Sequence, residues 1–372
     1  MNVVYVYADS PKEWNCSEWN CIIPTKSFNK TKNHSAKSIY INDFNANTKE
    51  SAEACSSADI IIVERNYFGD ALAMIQYWKV RNKTVIGIFD DAYDKLHPQN
   101  IAYEFWIKGN VKYKSADSGE EKIATVLPPP LEQFKWGVQS LKAIQVPSVM
   151  LASDWSEYNK TYYVHNYLDM DKYIDVQPLY PHDDLVIGWV GSLSHYDSFS
   201  GSGVLDALNR ISRKYPNVTL LISGDKRVFD LLEAKKKVFQ PFVPAEKWTS
   251  LIKTLDIGLA PLNGEYDKRR SWIKGLEYMA LKIPWIASNY QTYDELKEYG
   301  IMTENGYKGW TESLIEMIEN YPMYKAKAEG ESYDFAVEHS SYTNIEKVHV
   351  KLYEELINSP YPIFDGNHIK NR

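Results

Sequence analysis

The side chains best suited to binding chemistry lie between residues 268 and 277. Arg270 ends a short basic run, and Ser271 predicts the N-cap of a helix that carries Lys274 and Glu277. Their spacing places these charges near one another on the first turns of that helix. A helix N-terminus beside cations attracts phosphate, and a carboxylate one turn further along can accept hydrogen bonds from ribose hydroxyls. The same charges would also suit an amphipathic helix with internal ion pairs, so the segment alone leaves both interpretations open.

Strands and turns of a parallel sheet must hold this helix in place. Short apolar runs alternate with amphipathic stretches along the second half, which is typical of βαβ units. The predicted strands are residues 185–190, 218–223, 239–243, 257–260 and 283–287. The predicted helices are residues 203–215, 246–255, 271–281, 293–299 and 310–320. Gly191 and Ser192 form the turn after the first strand, and Lys226 and Arg227 follow the second.

The first half shows the same alternation. The predicted strands are residues 3–7, 59–63, 84–89, 148–152 and 161–165, and the polar stretch 109–122 predicts a loop. Asp90 and Asp91 come directly after one of these strands, at the edge of a parallel sheet where ligands bind. They are candidates to orient a ligand hydroxyl, and capping of the following loop is the alternative.

A break in the pattern divides the chain. Residues 177–184 contain two prolines and little periodicity, which predicts a linker. We therefore expect two Rossmann-like domains, formed by residues 1–180 and 185–335. A last amphipathic segment, about residues 341–357, places Ile345, Leu352 and Leu356 on one helical face.

Composition excludes several classes of protein. The chain has 372 residues, enough for two domains, and its 44% apolar and 24% charged content is typical of a folded globular protein. With 42 Lys and Arg against 49 Asp and Glu the net charge is −7, so the chain lacks the overall basic field that attracts nucleic acid. No apolar run approaches the length of about 18 residues that a membrane span needs.

The second half resembles glycosyltransferase family 4, whose members use nucleotide sugars and have the GT-B fold. The similarity rests on GWVGSLSH at 188–195, DIGLAPL at 256–262, Arg270-Ser271, KGLEYMA at 274–280 and PWIAS at 284–288. It is thinner in the first half, where residues 89–91 and 164–169 carry it. The resemblance implies an α/β protein with two Rossmann-like domains facing a central cleft. An acceptor domain would come first, a donor domain second, and the C-terminal helix would cross back to the first.

The resemblance also implies a role for each matching residue. Glu277 corresponds to the second carboxylate of a paired-glutamate motif and would hold the donor ribose, and Arg270 and Lys274 would lie at the pyrophosphate. The implied donor-binding set is Gly191, Ser192, Lys226, Arg227, Phe242, Val243, Arg270, Ser271, Lys274 and Glu277. The implied catalytic residues are Asp90, Asp91 and His195. Phe242 and Val243 would place backbone groups at the nucleobase.

The sequence departs from the family pattern at two places in the donor half. Arg269 stands where the family has its first glutamate, and Asp267, Glu265 or main-chain N–H groups would have to replace it. The loop after the first strand of this half lacks the basic pair that many relatives carry. Lys226 and Arg227 are the candidates to supply that charge.

Taken with these residues, the resemblance implies a retaining glycosyltransferase that moves a hexose from a UDP- or GDP-sugar to an acceptor hydroxyl. It implies neither a metal nor a cofactor beyond the donor. The acceptor stays open among a glycan, a lipid, a protein and a modified base. Two alternatives also stay open: a nucleotide-sugar isomerase of the 2-epimerase type, and a non-catalytic nucleotide-sugar-binding relative.

Targeting signals and cysteine usage indicate the compartment. The first residues read as a strand and show no signal-peptide pattern. Cys16, Cys21 and Cys55 have no zinc-ligand spacing, which predicts free thiols in a reducing environment. We therefore expect a cytoplasmic protein, with peripheral membrane contact and the oligomeric state left open.

Overall fold

The computed structural model describes residues 1–10, 15–115 and 119–362, which form two compact units. The first unit contains Asn15–Asn166 together with residues 1–10 and 342–362, and the second contains residues 167–341. The sequence predicts the change of domain near residues 180–185, whereas residues 167–184 already belong to the second unit. Leu179 shows why: its N–H donates to the Ser250 carbonyl at 2.9 Å and to Thr254 Oγ1 at 3.0 Å, so this segment is bonded to the second unit.

Parallel strands form the frame of both units. The strands are β1 Asn2–Tyr7, β2 Ser35–Tyr40, β3 Ile60–Glu64, β4 Thr84–Ile88, β5 Asn110–Lys114, β6 Glu121–Thr125, β7 Ile144–Val146, β8 Thr161–Tyr163, β9 Leu185–Val190, β10 Val218–Ser223, β11 Lys237–Gln240, β12 Ile257–Ala260, β13 Trp285–Ser288 and β14 Ile301–Thr303. All pair in parallel except β5 and β6, which form an antiparallel hairpin.

Helices connect and cover these strands. They are α1 Ile23–Thr31, α2 Ile41–Asn45, α3 Lys49–Ser57, α4 Gly69–Lys79, α5 Tyr103–Trp106, α6 Pro130–Ser140, α7 Val149–Trp155, α8 Tyr196–Ser202, α9 Val204–Lys214, α10 Lys226–Asp230, α11 Trp248–Lys253, α12 Gly264–Asp267, α13 Ile273–Ala280, α14 Tyr307–Glu319, α15 Tyr321–Lys327, α16 Tyr333–His339 and α17 Tyr342–Asn358. Gln291–Tyr299 is a 3-10 segment, and Glu18–Ile22 and Ala328–Ser332 have π-helical geometry. None of the helices in the described residues has the length and hydrophobicity that a membrane-spanning segment requires.

Each sheet has a point at which the strand order reverses. The first unit has the order β2-β1-β3-β4-β7-β8 and the second has β11-β10-β9-β12-β13-β14. Ligands bind outside the carboxyl ends of the strands at such a point, which is β1 with β3 in the first unit and β9 with β12 in the second. The predicted pair of Rossmann-like α/β domains is confirmed.

Two local predictions for the first unit are wrong. Residues 148–152 form the start of α7, because Ser148 Oγ accepts the Leu151 N–H at 3.3 Å and caps a helix, and the strand is β7 instead. The predicted loop at 109–122 contains strand residues, since β5 and β6 pair from Asn110 with Thr125 to Lys114 with Glu121.

The C-terminal helix completes the first unit, as the predicted fold requires. The Tyr353 ring stacks on Phe28 with ring centroids 6.3 Å apart and planes 12° apart. Its hydroxyl lies 2.9 Å from that of Tyr5 on β1. The Tyr342 carbonyl accepts a hydrogen bond from Ser27 Oγ at 2.6 Å. Residues from the two ends of the chain therefore share one core.

Glu64, the last residue of β3, is fully buried in the first unit. Its carboxylate accepts hydrogen bonds from the Ala8 N–H at 2.8 Å, from Ser17 Oγ and from Asn20 Nδ2 at 3.0 Å. Burial outweighs these donors and raises the pKa of Glu64 to about 7. The carboxylate ties β3 to the end of β1 and to the π-helical segment after it.

Because the folded-state pKa of Glu64 lies above its unfolded value, the folded protein binds this proton more tightly. Stability is therefore lost as pH rises from about 4.5 to about 7. Glutamine does not ionise, so we expect the unfolding free energy of Glu64→Gln to fall by roughly 3 kcal/mol less than that of the wild type as pH rises. The measurement is the unfolding free energy of both proteins at pH 5 and at pH 8. Glu53→Gln, at an exposed position in the same unit, serves as the control and should follow the wild-type pH profile. Parallel profiles for wild type and Glu64→Gln would contradict the assignment.

Candidate functional site

Two glycines let the loops after β9 and β10 approach closely in the second unit. The Gly191 N–H donates to the Ser223 carbonyl at 3.3 Å. A Cβ added to Gly191 would lie 2.1 Å from the Trp189 ring, and one added to Gly224, whose φ is +99°, would lie 2.0 Å from the Gly191 carbonyl oxygen. Gly191 thus leads into the turn that carries exposed Ser192 at the carboxyl edge of the sheet.

Two arginines hold the turn that follows. Arg227 donates to the Leu193 carbonyl at 3.2 Å and is fixed by the buried Asp225 carboxylate at 2.6 Å. Arg270, from the loop before α13, donates to both the carbonyl and the hydroxyl of Ser194 at 3.1 Å. Two guanidinium groups therefore converge on residues 193–194, beside the switch point of the sheet.

Asp267 anchors Arg270. This residue is only 2% exposed, and its carboxylate accepts hydrogen bonds from Arg270 Nε at 2.6 Å, Ser198 Oγ at 2.5 Å and the Asn263 N–H at 2.8 Å. The Asp267 carboxylate therefore accepts its hydrogen bonds from donors within the protein. Glu265, the other proposed replacement for the missing glutamate, lies on the surface and pairs with Lys268 and Arg269.

Glu277 lies within a second group of contacts on α13. The residue is 1% exposed, and its Oε1 accepts a hydrogen bond from Trp248 Nε1 at 2.7 Å and one from the Tyr173 hydroxyl at 3.4 Å. Lys274 Nζ donates to Oε2 at 2.7 Å and lies 5.3 Å from the centroid of the Trp248 ring. The Lys274–Glu277 proximity follows the predicted helical spacing.

His195 lies at the end of the turn and contacts both the sheet and α8. Its Nδ1 is 3.3 Å from Ser198 Oγ, and its ring meets the Trp189 ring edge-on with centroids 5.3 Å apart. Burial, and then the charges of Arg270 and Lys274, hold the pKa of His195 well below its usual value. His195 is therefore neutral at physiological pH.

The remaining donor-side residues lie at the margins of this group. Ser271 does not cap the helix at its predicted start; α13 begins at Ile273, whose N–H donates to Ser271 Oγ at 3.4 Å. Lys226 is exposed and pairs with Asp230 at 2.5 Å. Phe242 is 54% exposed in the segment after β11, and Val243 beside it is half-buried.

Asp90 and Asp91 belong to the first unit and follow β4 there. Burial and the neighbouring Asp91 raise the pKa of Asp90 to about 6, and the Arg65 guanidinium opposes this shift. Asp90 Oδ1 is buried and has no hydrogen-bond partner among the described residues. The carboxyl end of β4 therefore offers a buried carboxylate oxygen to which no described residue donates a hydrogen bond.

The structure brings Gly191, Arg227, Arg270 and His195 together, and it places Lys274 with Glu277. Sequence reasoning missed Ser198, Trp248 and Tyr173. Ser198 follows His195 by three residues, a helical spacing that would have pointed to it. Trp248 and Tyr173 carry no such signal, because only the tertiary fold brings them to Glu277. In the described part of the chain, no group of three His, Cys, Asp or Glu side chains is placed to hold a metal ion.

Residues 184–320 match the family model described as glycosyl transferases group 1. The match covers the donor-side residues above and confirms the resemblance to nucleotide-sugar glycosyltransferases. The search of curated proteins finds no match.

Solved structures share the two-domain fold. HepE from Anabaena, in complex with UDP and glucose, has a TM-score of 0.63 at 13% identity over 95% of this chain and 100% of its own. The catalytic domain of starch synthase IV from Arabidopsis thaliana, bound to ADP and acarbose, has 0.64 at 9% over 96% and 99%. A putative UDP-N-acetylglucosamine 2-epimerase from Listeria monocytogenes has 0.54 at 9% over 97% and 98%. These similarities confirm the GT-B fold, which transferases and the epimerase share.

The Lys274–Glu277 contact gives a stability prediction. Lys274→Met keeps the packing on Trp248 but removes the cation beside a buried carboxylate, so we expect a loss of about 2–3 kcal/mol of unfolding free energy in urea. Lys268→Met removes a similar but exposed ion pair with Glu265 and should cost about 0.5 kcal/mol or less. Equal losses in both variants would contradict the importance assigned to the buried pair.

Proposed function

We propose that this chain, whose residues 184–320 match the family model for glycosyl transferases group 1, transfers a hexose from a nucleotide-diphosphate sugar to an acceptor hydroxyl. The convergence of Arg227 and Arg270 on residues 193–194, beside the β9–β12 switch point, carries this proposal. A diphosphate is the ligand that two guanidinium groups at the carboxyl edge of a Rossmann-like sheet suit best. UDP is the first nucleotide to test, with GDP and ADP next.

The diphosphate would replace neutral partners of the arginines. In the structure these partners are the carbonyls of Leu193 and Ser194, and a charged oxygen is the stronger hydrogen-bond acceptor. The same cations would stabilise the negative charge that develops on the leaving diphosphate, in place of a metal. Arg227 thus supplies the basic charge that the loop after β9 lacks.

Glu277 would hold the ribose. Each carboxylate oxygen can accept two hydrogen bonds, and among the described residues Oε2 accepts one, from Lys274. The flexible Lys274 side chain would turn to the diphosphate and leave Oε2 to a ribose hydroxyl. Phe242 and Val243, after β11, would present backbone groups to the nucleobase.

Asp90 would orient the acceptor hydroxyl, because its Oδ1 is a buried acceptor with no partner among the described residues. We propose retention of the anomeric configuration, in which the leaving diphosphate takes the acceptor proton on the same face. Positioning of the two reactants, rather than a strong base, then supplies most of the rate.

A panel of UDP-, GDP- and ADP-sugars, assayed for nucleotide release, tests the proposal. We expect slow release from one donor, and about a 100-fold lower kcat/KM in Arg270→Ala, which loses two or three charge-assisted hydrogen bonds. Lys268→Ala, an exposed neighbour, is the matched control and should stay within about twofold.

Three outcomes would contradict the proposal. Conversion of the sugar to an epimer while it stays linked to the nucleotide would identify an isomerase. Nucleotide-induced thermal stabilisation without release, in the presence of sugar acceptors, would identify a non-catalytic relative. Release that Arg270→Ala leaves unchanged would show that the donor binds elsewhere.

A further inference from the structure

A chain of buried hydrogen bonds connects Asp267 to His195 through Ser198 in the second unit. Ser198 is fully buried on α8, and its Oγ lies 2.5 Å from Asp267 Oδ2 and 3.3 Å from His195 Nδ1. Asp267 is held in turn by Arg270 and by the Asn263 N–H. His195 and Ser198 are three residues apart at the start of α8, whereas Asp267 comes from α12, 69 residues after Ser198, so the fold brings the carboxylate to this pair.

The chemistry of these groups fixes the direction of each hydrogen bond. A carboxylate paired with an arginine can only accept, so the single hydroxyl hydrogen of Ser198 must go to Asp267. Ser198 Oγ can then only accept from the ring of His195. Nδ1 must therefore carry the hydrogen, and in a neutral imidazole Nε2 is left as a bare acceptor.

His195 has the surroundings that this state requires. Burial, and then the positive charges of Arg270 and Lys274, disfavour a second proton on the ring. The edge-on Trp189 ring fixes the plane of the imidazole. Ser198 is the hydrogen-bond partner of His195 among the described residues, and it engages Nδ1, which leaves Nε2 for a ligand.

We propose that Asp267 and Ser198 are positioning residues that hold His195 as its Nδ1–H tautomer, so that Nε2 accepts a hydrogen bond from a hydroxyl of the donor sugar. The identification of the ligand as a donor sugar rests on the proposed function, whereas the tautomer assigned to His195 does not. His195 would then select donors by a hydroxyl group and would not act as a general acid.

The tautomer can be read directly by nitrogen NMR of the histidine ring. We expect Nδ1–H for His195 in the wild type and mainly Nε2–H, the form a free histidine side chain prefers, in Ser198→Ala. Asp267→Asn should also reverse the tautomer. In this variant the oxygen of the new amide stays hydrogen-bonded to the charged Arg270, so the amide nitrogen faces Ser198 and donates to its Oγ. The hydroxyl hydrogen of Ser198 is then free to be donated to His195 Nδ1, which must be the unprotonated ring nitrogen.

Ser202→Ala is the matched control. Ser202 is also fully buried on α8, and its hydroxyl has no hydrogen-bond partner among the described residues. This variant should keep the wild-type tautomer. Nε2–H in the wild type, or Nδ1–H retained in both Ser198→Ala and Asp267→Asn, would overturn the positioning role.

Ligand titration tests the hydroxyl. The donor identified in the panel, or UDP-glucose if none releases nucleotide, should shift the Nε2 resonance, whereas UDP alone should not. In turnover, Ser198→Ala should lower kcat/KM about 10-fold and Ser202→Ala should lower it less than about twofold.

In the titration, an equal shift of the Nε2 resonance by UDP-sugar and by UDP, or no shift by either, would show that the hydroxyl assignment is wrong. Nucleotide release that depends on Arg270 would in that case still support the transferase.

Discussion

The candidate donor site depends on one buried ion pair, between Asp267 and Arg270. Their atoms lie 2.6 Å apart, and Arg270 continues from this contact to Ser194 on the turn after β9. The pair thus joins the loops that follow β9 and β12, the two strands at which the sheet order reverses. Loss of either charge would leave the other buried without its partner, which costs more than a surface ion pair of the same geometry.

Sequence reasoning reached the architecture because buried parallel strands are continuous apolar runs. β3 and β4 are buried along their whole length, and the predicted runs overlap them closely. Local spacing also predicted that Lys274 and Glu277 meet. It failed where a short apolar run suits either a strand or a helix: residues 148–152 were predicted as a strand, whereas the Ser148 side chain caps a helix that begins at Val149.

The interior of the site was beyond sequence reasoning for a different reason. Trp248 precedes Glu277 by 29 residues, and Tyr173 precedes Glu277 by 104 residues. No periodicity in the sequence therefore relates these donors to the carboxylate that accepts their hydrogen bonds. The partners of Asp267 are equally invisible in the sequence, although in the fold its carboxylate accepts hydrogen bonds from three donors of the protein. Charges near the missing glutamate could be found in the sequence, but their partners could not.

The place of α17 has a consequence for the order in which a ribosome can complete this protein. β1 and α1 leave the ribosome before the second unit does, yet Tyr5 and Phe28 lack their contact with Tyr353 until residues 167–341 have been synthesised. The described residues of the second unit, 167–341, are continuous in sequence and are complete before that moment. The first unit is therefore the last to close its core, and Tyr5 and Phe28 remain without this aromatic contact while the second unit is synthesised.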